Sequence, residues 1–228
     1  MRIRMRAAGV ATVAAVALVT GGLVGTSIDF ASAGTSSVTA RQAPRTEAVR
    51  TQVAVQRTMT TLWMQHMEWT YATVVAFASD SPGLDASIKR LLRNQDDIGN
   101  AIKPFYGRAA GNRLTQLLRT HIQEAVPVLV AAKNGDQAGL DAAVKAWYRN
   151  ARQIGTFLGT ANPHWGVQEM RAMMRTHITE TIAYASDLLQ GRYGQAVADY
   201  NRAERHMRSM ATMLSDGLIA QFPSRFGG

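Results

Sequence analysis

One segment of this sequence recurs further along the chain, and the recurrence restricts the folds that the chain can adopt. A pattern of Gly-Leu-Asp-Ala, Lys, Arg-Asn and Ile-Gly occupies 83–99 and returns at 139–155, an offset of 56 positions. The tetrapeptide Arg-Thr-His-Ile at 119–122 returns at 175–178 with the same offset. A third copy with weaker similarity is divided between the segments before and after these two, because His66 lies 55 positions before His121 and His206 lies 56 positions after Asn150. Repeats of this length are typical of one supersecondary unit copied along the chain.

The repeated segments carry apolar residues at helical spacing and show no strand-like alternation. Pro, Gly and Asn interrupt them at 81–83, 103–107, 134–136, 162–163 and 191–194. The sequence therefore predicts an all-α fold, a helical bundle of about six helices built from three tandem αα-hairpin repeats. The predicted helices span about 46–80, 84–102, 108–133, 138–160, 165–190 and 194–221.

The N-terminal residues have the three parts of a secretory signal peptide. Three arginines precede an uncharged apolar run over 7–24, and the small residues at 31–33 suit a signal peptidase. An uncleaved anchor is the alternative, but the run is at the short end for a membrane span. We therefore predict a secreted or extracytoplasmic protein. Its predicted parts are a cleaved signal peptide (1–33), a flexible linker (34–45), a helical bundle domain (46–222) and a C-terminal tail (223–228).

Composition limits the chemistry that the chain can perform. The absence of cysteine excludes a disulfide scaffold, a thiolate metal site and a cysteine nucleophile. Motifs for a serine nucleophile, a phosphate-binding loop or a His-Glu-x-x-His zinc site are absent as well. The sequence therefore favours a protein without enzymatic activity. The net charge is +9, of which +7 lies beyond the predicted signal peptide, and on an exported chain it indicates an anionic cell-envelope surface as a partner, and not nucleic acid.

Each predicted hairpin brings one histidine level with an asparagine or with a second histidine. Residues equidistant from the turn of an antiparallel hairpin lie at the same height. The four histidines involved share helix faces with apolar residues, so we predict that they face the core. His164, at a helix start, is predicted to be exposed. The predicted level pairs are His66 with Asn94, His121 with Asn150, and His177 with His206.

Two interpretations of these pairs are open. A buried histidine is often satisfied by a hydrogen bond to a polar group opposite, and Asn94, His121 and Asn150 would then form a structural polar layer. A metal site is the other interpretation, because every methionine beyond the signal peptide lies within seven residues of His66, His177 or His206.

The last hairpin supports the metal hypothesis most directly. Two pairs of methionines, Met173 with Met210 and Met170 with Met213, are predicted to face each other across the hairpin, in successive layers next to the pair of His177 and His206. We call these layers rungs. Thioether and imidazole ligands suit Cu(I) without a thiolate, and zinc or haem are further possibilities. The competing interpretation is that methionine fills an irregular helical core. The predicted metal-binding residues are His66, His177, His206, Met170, Met173, Met210 and Met213.

Glutamates follow two of the histidines at i+3, as Glu124 and Glu180. Di-iron bundles use the reverse order, Glu-x-x-His, with two further glutamates on partner helices. We therefore expect these two carboxylates to lie at the edge of the buried face and to pair with Arg or Lys.

Several short motifs resemble a family of small exported helical proteins of actinobacteria and bacilli. They are Met64-x-His66-x-x-Trp69, Pro-Phe-Tyr-Gly at 104–107, Trp147-Tyr148-x-Asn150, Asn162-Pro163-x-Trp165 and Met173-Met174-x-x-His177. The resemblance covers about 57–222 and implies a helical domain without implying a particular chemistry. A weaker likeness, in composition alone, is to ferritin-like bundles that bind metal through Met and His.

These observations predict an exported helical-bundle protein that binds copper or another soft metal. The alternative is a non-catalytic structural or interaction protein of the cell envelope, whose basic surface holds an anionic polymer.

Overall fold

The computed structural model describes residues 39–227, and over this range the chain is all-helical. This confirms the predicted all-α fold. The elements are α1 (Thr39–Ala78), α2 (Leu84–Asn134), α3 (Gln137–Ala161), α4 (Val167–Leu189), α5 (Tyr193–Gln221) and a short 3₁₀ helix (Pro223–Arg225).

Five α-helices are present in the described range where the sequence predicts six. The predicted turn at 103–107 is present as a sharp kink at Gly107, the one residue of α2 outside the helical conformation, with φ 82° and ψ 170°, and α2 spans the helical arms on both sides of it. A positive φ of this size suits glycine, which has no Cβ to clash. The predicted helix over 108–133 is therefore the second arm of α2.

The two arms of α2 lie against each other across Gly107. A Cβ added to Gly99 would overlap the backbone oxygen of Gly111, and a Cβ on Gly111 would overlap that of Gly99. Further from the bend, the Arg119 guanidinium donates to the Asp96 carboxylate at 3.1 Å. The chain thus reverses direction within α2.

The turn between α2 and α3 has the predicted stop and cap. Gly135 ends α2 in the left-handed conformation, with φ 68°, and the Asp136 carboxylate accepts from the Gly139 N–H at 2.9 Å. These are the usual C-terminal and N-terminal helix signals. The bundle closes on itself, because α1 packs against both α2 and α5 while α4 packs against α3 and α5.

An aromatic cluster holds the end of α5 against the bend of α2. The Tyr106 hydroxyl donates to Gln221 at 2.6 Å and accepts from Asn162 at 2.9 Å. Phe226, beyond α5, is only 3% exposed and stacks on Phe105. The motifs at 104–107 and 162–165 therefore have a packing role here, and Phe226 anchors the segment predicted as a tail, whose other residues over 223–227 are exposed.

The predicted signal peptide lies outside the described residues, as does the first part of the predicted linker. The helix α1 begins at Thr39, within the segment predicted as linker. No helix over residues 39–227 combines the length and the apolar character that a bilayer span requires.

Candidate binding cavity

Three buried histidines from three separate helical segments meet in the centre of the bundle. His66 comes from α1, His121 from the second arm of α2 and His177 from α4, and each side chain is 2% exposed. Their ring centroids are 5.4 Å apart for His66 and His177, 5.6 Å for His121 and His177, and 6.5 Å for His66 and His121. We call these three residues the histidine cluster.

The predicted pair of His121 and Asn150 is confirmed as a direct hydrogen bond. The Asn150 amide donates to the Leu117 carbonyl at 3.1 Å, so its Oδ1 faces the Nδ1 of His121 at 2.9 Å. Because a carboxamide oxygen only accepts, the His121 proton lies on Nδ1. The Nε2 atom of His121 then carries a lone pair, and it has no hydrogen-bond partner.

The structure does not show a direct contact between His66 and Asn94, and the two roles of Asn150 belong here to two neighbouring residues. Gln95, and not Asn94, contacts His66, through its Nε2 atom at 3.3 Å from Nδ1. Asn94 instead donates to the Leu62 carbonyl at 3.0 Å. The sequence signal for Gln95 was available, because a separation of 29 applies to His121 with Asn150 and also to His66 with Gln95.

One hydrogen bond recurs in all three hairpins. In each, a polar side chain donates to the backbone carbonyl four residues before the cluster histidine. Asn94 and Asn150 do so through their amides, and His206 does so through Nε2 to the Met173 carbonyl at 3.0 Å. His206 therefore occupies the position of the two asparagines, half-buried at the edge of the cluster.

Burial keeps the histidine cluster uncharged near neutral pH. Desolvation is the main cause of a pKa of about 3 for His66 and about 4 for His121, and it holds the pKa of His177 well below its usual value. Repulsion between the rings lowers the pKa of His66 and His177 further. The cluster thus presents neutral imidazoles, which can act as hydrogen-bonding groups or as ligands.

The histidine cluster forms the closed end of a cavity of about 330 Å³. Apolar side chains from α1, both arms of α2, α3 and α4 make up most of its wall. Its other end lies at the turns that join α1 to α2 and α2 to α3, where the lining side chains are half-buried. These mouth residues are Phe77, Leu84, Ala132, Leu140 and Leu189.

Threonines supply further polar atoms near the cluster. Thr70 and Thr181 each follow a cluster histidine by four residues and donate to that residue's carbonyl, at 2.6 Å and 2.8 Å. Both side chains line the cavity. Both hydroxyl protons are donated to the helix backbone, so each oxygen can act only as an acceptor, and the Thr181 oxygen also lies beside the Tyr184 hydroxyl.

The methionines of the predicted rungs differ in burial. Met170 and Met210 are about 1% exposed within the core, while Met173 and Met213 are half-buried and pack against it. Among residues 39–227, no group of three or more His, Cys, Asp or Glu side chains is arranged to hold a metal ion. Of the predicted ligands, the structure places His66 and His177 together, with His121 as the third member in place of His206.

Two nitrogens of the cluster are unusual because they are buried without a partner. They are Nε2 of His121 and Nδ1 of His177. A buried polar atom without a partner costs roughly 1–3 kcal/mol. The cost is removed where a ligand or a solvent molecule makes a hydrogen bond to that atom. The cluster can therefore orient a polar group by hydrogen bonding.

Comparison with known protein families, with curated proteins and with solved structures finds no match to this chain.

Proposed function

We propose that this protein binds a small, mostly apolar molecule in the cavity above the histidine cluster. One observation carries the proposal, namely a deep apolar cavity whose closed end is built from three buried, neutral histidines. Ligand sites are commonly cavities of about 300–1,000 Å³ with apolar walls and a few convergent polar groups. The volume of about 330 Å³ lies within that range.

The energetics of the cluster also support a binding role. A core that served stability alone would place apolar side chains at these positions, because three imidazoles are costly to desolvate. Polar groups retained in a core at such a cost are most often found at functional sites. We infer that the cluster is kept for the molecule that contacts it.

A fluorescent dye tests the proposal. The neutral dye N-phenyl-1-naphthylamine is expected to bind the purified protein at one site per chain with a rise in emission. Ala185 lines the cavity and is 5% exposed, so Ala185→Leu fills part of the space and is expected to weaken dye binding by at least about tenfold. The matched control is Ala172→Leu, on the exposed side of the same helix, which should leave the dye affinity unchanged.

Two results would count against the proposal. One is an absence of saturable dye binding by a protein that is folded by circular dichroism. The other is equal loss of binding in both variants, which would place the dye on the surface of α4.

Copper at the histidine cluster is the competing occupant that the sequence suggests. The two unpartnered nitrogens, on His121 and His177, are the observation in its favour. An anaerobic Cu(I) titration against a chelator belongs in the same experiment. Stoichiometric uptake that is lost in His177→Gln/His206→Gln would favour copper, whereas uptake unchanged by that double variant would exclude the predicted Met/His rungs.

An anionic polymer of the cell envelope is the second candidate partner, at a separate surface. Arg113, Arg149 and Arg152 line a shallow groove between α2 and α3 in which no carboxylate takes part among the described residues. Arg149 also acts on Glu124 outside the groove, where it lowers a carboxyl pKa that burial raises. The groove thus retains positive charge that suits phosphate or carboxylate groups.

The groove makes a salt-dependent prediction. Binding to a polyphosphate column is expected to weaken steeply as NaCl rises, because exposed charges are screened. Arg113→Gln/Arg152→Gln should elute at lower salt than the wild-type chain, while the control Arg57→Gln/Arg205→Gln, with the same change in net charge, should elute later than the groove variant. Identical elution of both double variants would show that net charge alone is responsible.

We further propose that the bundle consists of three copies of one αα-hairpin and that the mature chain acts outside the cytoplasmic membrane. The hydrogen bond that recurs in each hairpin and the offset of 56 support the repeat. The sequence of the first thirty-three residues supports export.

A further inference from the structure

We propose that the ligand of this cavity is a single-chain hydrocarbon with a neutral hydroxyl head, a long-chain or isoprenoid alcohol, whose hydroxyl meets the histidine cluster. This inference rests on the proposed binding function and adds the chemical class of the ligand.

The shape of the cavity favours one extended chain. The cavity follows α4 from His177 to Leu189 and α1 from His66 to Phe77. At 1.5 Å per helical residue these spans correspond to a length of about 17 Å. The cavity is therefore elongated along the bundle, which suits an extended chain better than a compact ring system.

The charge of the wall favours a neutral head. No lysine or arginine of the described range lines the cavity, and its one lining carboxylate, Asp141, is exposed on α3. An anionic head would reach the closed end without a counter-charge, and a cationic head would meet three imidazoles but no buried carboxylate. Burying an unpaired charge is far more costly than burying a hydrogen-bonded hydroxyl.

The polar atoms at the closed end match a group that both donates and accepts. The hydroxyls of Thr70 and Thr181 donate to backbone carbonyls, so their oxygens can accept a hydrogen bond from a ligand. The Nδ1 atom of His66 faces the amide N–H of Gln95, which places the imidazole proton on Nε2 as a donor. A hydroxyl satisfies one donor and one acceptor at once, whereas an ether, a ketone or an alkane does not.

The test compares four probes of known head group by isothermal titration at pH 7.5. They are 1-dodecanol, dodecane, dodecanoate and the compact ring alcohol borneol. We expect 1-dodecanol to bind at one site per chain and about tenfold more tightly than each of the other three, which is the size of one well-formed neutral hydrogen bond.

Variants of the two cavity threonines locate the hydroxyl. Thr70→Val/Thr181→Val keeps the shapes of both side chains and removes both acceptors, so it should abolish the preference for 1-dodecanol over dodecane and leave dodecane binding unchanged. Thr176→Val, on the exposed side of α4, is the control and should retain the full preference.

The outcomes separate this inference from the function on which it rests. Tighter binding of dodecanoate or equal binding of dodecane would overturn the neutral hydroxyl head, and tighter binding of borneol would overturn the single extended chain. Each of these results would leave a ligand-binding cavity in place. Failure of all four probes together with failure of the dye would overturn both. A preference for 1-dodecanol that survives in Thr70→Val/Thr181→Val would show that its hydroxyl does not lie at the histidine cluster.

Discussion

Acidification is expected to unfold this protein between about pH 6 and pH 4, through the histidine cluster. The pKa of His66 is about 3 and that of His121 is about 4 in the folded chain, against an ordinary value of 6.5, and the pKa of His177 is lowered in the same direction. Below pH 6.5 the unfolded chain therefore binds more protons than the folded chain. Stability that is present above pH 6.5 is then lost as the pH falls toward the folded-state pKa values.

The stability lost through the histidine cluster is comparable with the total stability of a domain. Each pKa unit corresponds to 1.36 kcal/mol, so the lowered pKa values of His66 and His121 alone remove roughly 8 kcal/mol over the whole window, and His177 acts in the same direction. A domain has only about 5–15 kcal/mol of stability in total. Glu124, whose pKa is raised by burial, acts in the opposite direction but is a single, partly exposed group.

Urea unfolding at a series of pH values measures this. The free energy of unfolding should fall by about 4 kcal/mol per pH unit between pH 6 and 5, the slope for three protons. His177→Gln should reduce the slope to that of about two protons. His164→Gln, which changes an exposed histidine, should leave it unaltered. A wild-type slope no larger than that of one proton would show that the cluster does not titrate as a buried unit.

The positions of the helices followed from the sequence because their signals are local. Apolar spacing, Pro and Gly placement, and the Asp136 cap are all readable within a few residues. The break predicted at 103–107 is present but shorter than predicted, because only Gly107 leaves the helical conformation and its positive φ is enough to reverse the chain between the two arms of α2. Local signals mark a break but do not state its length.

The site was predicted in part for a related reason. The helix faces predicted that each histidine of the cluster is buried, and the hairpin register predicted the bond from His121 to Asn150. The meeting of His66, His121 and His177 depends on how three hairpins close around one axis, which spacing within a hairpin does not specify. The cavity could not be predicted either, because it exists only where the side chains of several helices together leave space unfilled. No single residue indicates such a space.

Replacement of Asn150 by leucine is expected to destabilise the protein by about 3 kcal/mol. Leucine keeps the volume of the side chain, so packing is preserved while two hydrogen bonds are lost. The Nδ1–H group of His121 is then buried without a partner, which costs roughly 1–3 kcal/mol in addition to the bonds themselves. Thermal and urea unfolding at pH 7.5 measure the change, and Asn201→Leu, an exposed asparagine of α5, should change stability by less than about 0.5 kcal/mol.

Asn150→Asp distinguishes a hydrogen-bonding role from simple packing. The carboxylate still accepts from Nδ1 of His121, and its negative charge favours the protonated ring, so the pKa of His121 should rise from about 4 toward neutrality. The proton NMR signals of the imidazole follow that titration directly. If Asn150→Leu costs no more than Asn201→Leu, or if Asn150→Asp leaves the His121 titration unmoved, then Asn150 neither holds the tautomer of His121 nor contributes to the polar end of the cavity.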